Sequence, residues 1–121
     1  MTPEEYRKWS AERVMGWVLI IPDFEDEWDH SSYTNPNKPR WYLPKKDWRP
    51  DDPTTGQIWM FVEKMRELGW KAQIWVMKDD YRVLFFKGFH DWRHAKQRDY
   101  TINTDKCLAI LEAGHNAVEG K

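Results

Sequence analysis

The chain is short of cysteine: 121 residues hold one, Cys107. One cysteine excludes an intramolecular disulfide framework and any zinc site built on several thiolates. No stretch approaches the roughly 18 apolar residues that a membrane-spanning helix needs. There is no surplus of charge: 19 Lys and Arg face 20 Asp and Glu, a formal −1. That argues against long nucleic acid as a partner, which needs a broad basic face, and against an acidic solvating tail. The six glycines are scattered, so no Gly-rich loop is present to cradle a phosphate. Gly-x-Ser-x-Gly, His-Glu-x-x-His and EF-hand spacings are all missing. No motif specifies a reaction, so no catalytic residue, metal or cofactor is assigned. The opening MTPEEYRKWSAER is charged and has no apolar secretory segment, and a cytoplasmic protein is expected.

What the chain has is aromatic residues. Nine Trp, five Tyr and five Phe match the 18 Leu, Ile and Val almost one for one. Each aromatic buries about 150–250 Å², so a core built on them needs few residues. This suits a mean hydropathy of −0.90. Most of the tryptophans are expected in the core, with two or three left to line a binding surface.

One α/β (α+β) domain is expected over 1–121, with about four mainly antiparallel strands sandwiched by about three helices. Thr2, Pro3 and Glu5 form a capping box that starts a helix over 3–15, and Gly16 stops it. Trp17 to Ile21 reads as a strand buried on both faces, ended by Pro22. Residues 22–53 form an irregular excursion holding six of the seven prolines. Its Trp28, Tyr33, Trp41, Tyr42 and Trp48 argue for order, and Arg40 to Leu43 for a short strand. Thr54 and Gln57 suggest a second capping box, with Ile58, Phe61, Val62, Met65 and Leu68 as the buried stripe and Gly69 as the stop. Trp59 lies at the edge of that stripe. Trp70–Met77 and Tyr81–Phe89 read as a hairpin that is apolar on both faces. Such a hairpin makes a homodimer or higher oligomer plausible. Asn103 or Thr104 caps a last helix near 105–118, where Cys107 is a small buried hydrophobe.

The junction Val14-Met15-Gly16-Trp17, the helix Ile58 to Gly69 running into a hairpin, and the closing Cys107-Leu108-Ala109-Ile110-Leu111 give this chain a distinctive order. In it the chain resembles the phage ABA sandwich domain, a family of small phage and prophage proteins. The resemblance implies an α/β sandwich and a phage or prophage origin, and carries no catalytic residues. The longer, Trp- and Pro-rich stretch 22–53 departs from it and is where a specific ligand would be read.

Two segments interleave aromatic and basic residues. One, Lys87 to Tyr100, offers His90, Trp92, Arg93, Lys96 and Arg98. The other runs from Arg40 to Arg49 and offers Trp41, Trp48 and Arg49, with Lys45 and Lys46. Arg and Lys hold phosphate and aromatic rings stack bases. The eight residues Trp41, Trp48, Arg49, His90, Trp92, Arg93, Lys96 and Arg98 are therefore the candidate ligand-binding set. His90 and His94 would share a helix face, but Gly88 disfavours a helix there. The five carboxylates of residues 23–29 read as a solvated loop. The expectation is a non-enzymatic phage accessory protein that binds and sequesters a small anionic, nucleotide-like immune signal of the host. An interaction module that blocks a host protein and a small nucleotide-acting enzyme are the alternatives.

Overall fold

Thr2 starts the chain's first helix by reciprocal capping. In the structure, a computed structural model that describes residues 1–22, 30–88 and 100–120, its side chain accepts from the Glu5 amide while Glu5 accepts from the Thr2 amide. Helix α1 spans Pro3–Trp9 and then widens into a π-turn over Ser10–Val14. The expected single helix over 3–15 is therefore two kinds of helix. The reason lies at the Arg7 carbonyl, which accepts from the Ser10 amide, the Ser10 hydroxyl and the Trp48 indole. An acceptor engaged by donors from outside the regular ladder is where a helix takes up an extra residue. Gly16, at φ +74°, turns the chain out of the helix.

The chain divides into two compact units, Met1–Arg49 and Pro50–Lys121. In the first unit, β1 (Val18–Ile20), β2 (Ser32–Thr34) and β3 (Tyr42–Pro44) form an antiparallel sheet in the order β1-β2-β3. Leu19, Tyr33 and Leu43 stand side by side on one face, against the cluster of Ala11, Trp17 and Trp48. Val18 and Ile20 point the other way and are about half exposed. Burial of β1 on both faces is thus corrected: it is an edge strand covered on one face only. The excursion supplies β2, β3 and a 3-10 turn over Lys45–Asp47. Arg40 makes the bend into β3 at φ 69°, a left-handed position rare for a residue with a Cβ.

In the second unit, helix α2 spans Ile58–Glu67 and buries Ile58, Phe61 and Met65. Thr54 does not cap it. Asp52 caps a separate 3-10 turn over Pro53–Thr55 through the Thr54 amide, and Gly56, at φ 69°, parts that turn from the helix. Strands β4 (Lys71–Val76), β5 (Tyr81–Phe86) and β6 (Thr101–Asn103) make a second antiparallel sheet, with β5 central. Ala72 pairs with Phe85 and Ile74 with Val83, the alternation expected of the hairpin. Helix α3 (Lys106–Glu119) is capped by Asp105 through the Leu108 amide, and not by Asn103 or Thr104 as expected. Its Gly114 meets the Phe61 ring, which stands edge-on to Phe85 at 6.3 Å. Three α-helices and two three-stranded antiparallel sheets among the described residues make this an α+β fold.

Candidate functional site

The first unit carries an open cleft of about 610 Å³. One wall is the first turn and a half of α1, with Glu4, Glu5, Arg7 and Lys8; the other is the 3-10 turn after β3, with Lys45, Lys46 and Arg49. Tyr33 from β2 also lines it. Local sequence explains each wall. The capping box fixes the start of α1, and the Lys45 amide donates to the Ser31 carbonyl at 2.9 Å, tying the turn to the sheet. Arg49 is held by its own Nε, which donates to the Lys46 carbonyl at 2.9 Å.

Among the described residues, five cationic side chains and two carboxylates line it. The Thr2 backbone amide, then the Thr2 hydroxyl, hold the Glu5 carboxyl below its usual range and so keep it ionised. Tyr33 is almost fully buried, and burial, with the nearby Glu12 adding to it, pushes its phenol above the ordinary value. At neutral pH it is an uncharged donor.

Tyr33 links the cleft lining to a cluster of tilted and edge-on rings. The Trp17 ring stands 4.8 Å from Trp48, edge-on at 76°, and 4.9 Å from Trp41, with Tyr33 at 6.0 Å. Trp48 is 0% exposed, and its indole N–H donates to the Arg7 carbonyl and the Ser10 hydroxyl, both at 3.1 Å. Its ring offers no face to a ligand, because Trp17 and the buried Ser10 occupy its surroundings. Trp41 is partly buried against the same cluster. Of the candidate residues, Arg49 lines the cleft, Trp48 and Trp41 belong to the ring cluster around Trp17 and do not line it, and His90, Trp92, Arg93, Lys96 and Arg98 lie outside the described residues. His94 and the acidic cluster 23–29 lie outside them too.

Arg7 and Lys8 are the cleft residues that sequence reasoning missed. They sit on a helix read only for its caps and apolar face. The signal was their spacing beside Glu4, with basic residues at the end of α1 opposite the basic run 45–49.

In the second unit, the ends of the other basic segment are engaged locally. The Lys87 ammonium lies 4.7 Å from the centre of the Trp70 ring. The Tyr100 hydroxyl donates to Gln73, and its ring sits 5.8 Å from Trp75. Cys107 is buried, and burial followed by the neighbouring Asp105 pushes its thiol up, away from the thiolate a nucleophile needs. Among the described residues no cluster of three or more His, Cys, Asp or Glu is placed to hold a metal ion, and no helix is long and apolar enough to cross a membrane. Compared with family models, with curated proteins and with solved structures, the chain finds no match.

Proposed function

We propose that this protein binds and sequesters a small anionic ligand of the nucleotide type, without turning it over, in the cleft between α1 and the Lys45–Asp47 turn. One observation carries the reading: among the described residues, five cationic side chains from two elements line a space of about 610 Å³ beside two carboxylates, in a chain whose formal charge is −1. A local excess of one sign in a neutral protein focuses the field on that spot and draws a small ion there. The volume lies within the range of small-molecule sites. The resemblance at Val14 to Trp17 makes a phage accessory protein the context, and a nucleotide-like immune signal of the host the natural cargo.

The test is a thermal-shift screen of the full chain against linear and cyclic nucleotides, paired with mass spectrometry of what heating releases. Binding raises the melting temperature by mass action. Stabilisation by a phosphorylated class, with the compound returned intact, is the expected result. A chemically altered product would turn the reading to an enzyme. No shift with any anion would remove it.

A second reading rests on exposed apolar residues of the second unit. Trp59 and Met60 on α2, and Trp75, Val76 and Met77 at β4, are all more than a third exposed. Such residues anchor protein partners, including a second copy of the chain or a host protein. Sedimentation of wild type against Trp75→Ser separates self-association from a monomer: a dimer lost in the variant supports it.

A further inference from the structure

We infer that two copies of this chain associate by pairing their β4 strands edge to edge, antiparallel about a two-fold axis at Ile74, into one sheet with three strands from each. The inference rests on the second reading above and commits it to one partner, a second copy, and to one register. Edge length is the first argument. Among the described residues four strands lie at sheet edges. Strands β1, β3 and β6 have three residues each, whereas β4 has six. Shortness, proline, bulges and inward charges are what protect an edge from pairing. Strand β4 has no proline, runs in unbroken register with β5, and carries one charge, Lys71, at its end.

Hydrogen-bond direction is the second. The Met77 amide donates to the Asp80 carbonyl at 2.9 Å, which makes these two residues a hydrogen-bonded pair. Such pairs alternate along an antiparallel ladder. In the β4–β5 register, Gln73 and Trp75 therefore bond to β5, while Ala72, Ile74 and Val76 turn their N–H and C=O groups outward. These three are evenly spaced about Ile74. A second β4 laid antiparallel sets Ile74 against Ile74 and Ala72 against Val76, so each outward N–H meets an outward C=O. A two-fold axis at Ala72 or Val76 would use fewer of them. The contact is isologous and closes on itself.

Side-chain fit is the third. On the face that carries Val83 and Phe85, the small Ala72 of one copy lies opposite Val76 of the other, which is 73% exposed in the single chain. On the opposite face Trp75, 47% exposed, comes beside Gln73. Lys71 falls opposite Met77, so no like charges stand directly opposed. Pairing thus covers apolar surface that one copy leaves in water. A foreign strand could use the same backbone groups, but the match of small against large is met by β4 itself.

The experiment combines sedimentation equilibrium of the full-length protein with residue-resolved amide hydrogen exchange at low and high protein concentration. Wild type is expected to dimerise. The amides of Ala72, Ile74 and Val76 are expected to gain protection with concentration, while those of Gln73 and Trp75, already bonded to β5, stay unchanged. Val76→Pro removes an outward N–H and leaves the β4–β5 ladder intact, and is expected to raise the dissociation constant by about tenfold or more. Ile102→Ser, at an exposed position on β6, is expected to leave it unchanged. Circular dichroism checks the fold of each variant, and the exchange pattern of wild type decides the matter if Val76→Pro does not fold. A dimer whose Ala72, Ile74 and Val76 amides stay unprotected would overturn edge pairing and leave self-association standing. A monomer at every concentration would overturn both.

Discussion

Trp48 shows how one residue is tied to the backbone of another element. Its indole N–H satisfies the Arg7 carbonyl and the Ser10 hydroxyl, 41 and 38 positions away in sequence. Removing the donor strands a buried hydroxyl and opens space in a ring cluster. Trp48→Phe is expected to cost about 2–4 kcal/mol and Ser10→Ala about 1 kcal/mol, read from urea denaturation midpoints. If Trp48→Phe cost no more than Ser10→Ala, the indole bond would not be what closes the first unit. Cys107 gives a pH signature at the same scale. Burial raises its folded thiol above the unfolded value, so the native state keeps a proton that the unfolded state releases. The stability this contributes is whole below the ordinary thiol value and is lost as pH rises through the folded one. Between about pH 8 and 9.5 the melting temperature should fall more steeply in wild type than in Cys107→Ala, and parallel slopes would contradict the assignment.

At the scale of elements, the contact of α2 with α3 depends on the absence of one side chain. A Cβ on Gly114 would lie 2.5 Å from Cζ of Phe61, and Phe61 is itself fully buried and packed edge-on to Phe85. Gly114→Ala must move that ring or part the helices. Despite the better helix propensity of alanine, it is expected to destabilise by about 1–3 kcal/mol in thermal or urea unfolding. A gain in stability would mean the helix pair has slack. The elements also mark where sequence is legible. Periodicity located α2, the β4–β5 hairpin and α3, because an apolar stripe or an alternation reports directly on a neighbouring face. Caps were read less well: Thr54 sits inside a 3-10 turn that Asp52 caps, and Asp105 caps α3 where Asn103 or Thr104 is expected, since several adjacent short polar residues can each accept from a nearby amide. The apolar run at β1 looked two-sided because composition reports apolarity and not how many layers cover a strand. The π-turn left little local mark: it coincides with a carbonyl, that of Arg7, shared between Ser10 and a tryptophan far along the chain.

At the scale of the whole molecule, the near-zero net charge conceals a sorted distribution. The candidate site was half legible for this reason. Lys45, Lys46 and Arg49 form a run visible in sequence, whereas their opposite wall, Arg7 and Lys8, is reached only when β2 and β3 bring residues 45–49 back to α1. Trp41 and Trp48, put in the ligand set because basic residues flank them, pack instead in or against the ring cluster, because a chain with few aliphatic residues must use its rings as core. A site that binds through charge is sensitive to screening. Affinity for a phosphorylated nucleotide should weaken roughly tenfold between about 0.05 and 0.5 M salt as the Debye length shortens. An affinity indifferent to salt would point to recognition by groups other than these cations.

The ring cluster of the first unit has an optical consequence. Trp17 and Trp48 stand 4.8 Å apart at 76°, and Trp41 lies at 4.9 Å from Trp17 on a different tilt. Indole transition dipoles this close and this skewed couple, and coupled chromophores split one absorption into a pair of circular dichroism bands of opposite sign. The cluster is thereby expected to give residues 1–49 an intrinsic exciton signal. Anything that loosens these rings would collapse the pair of bands without the addition of any label.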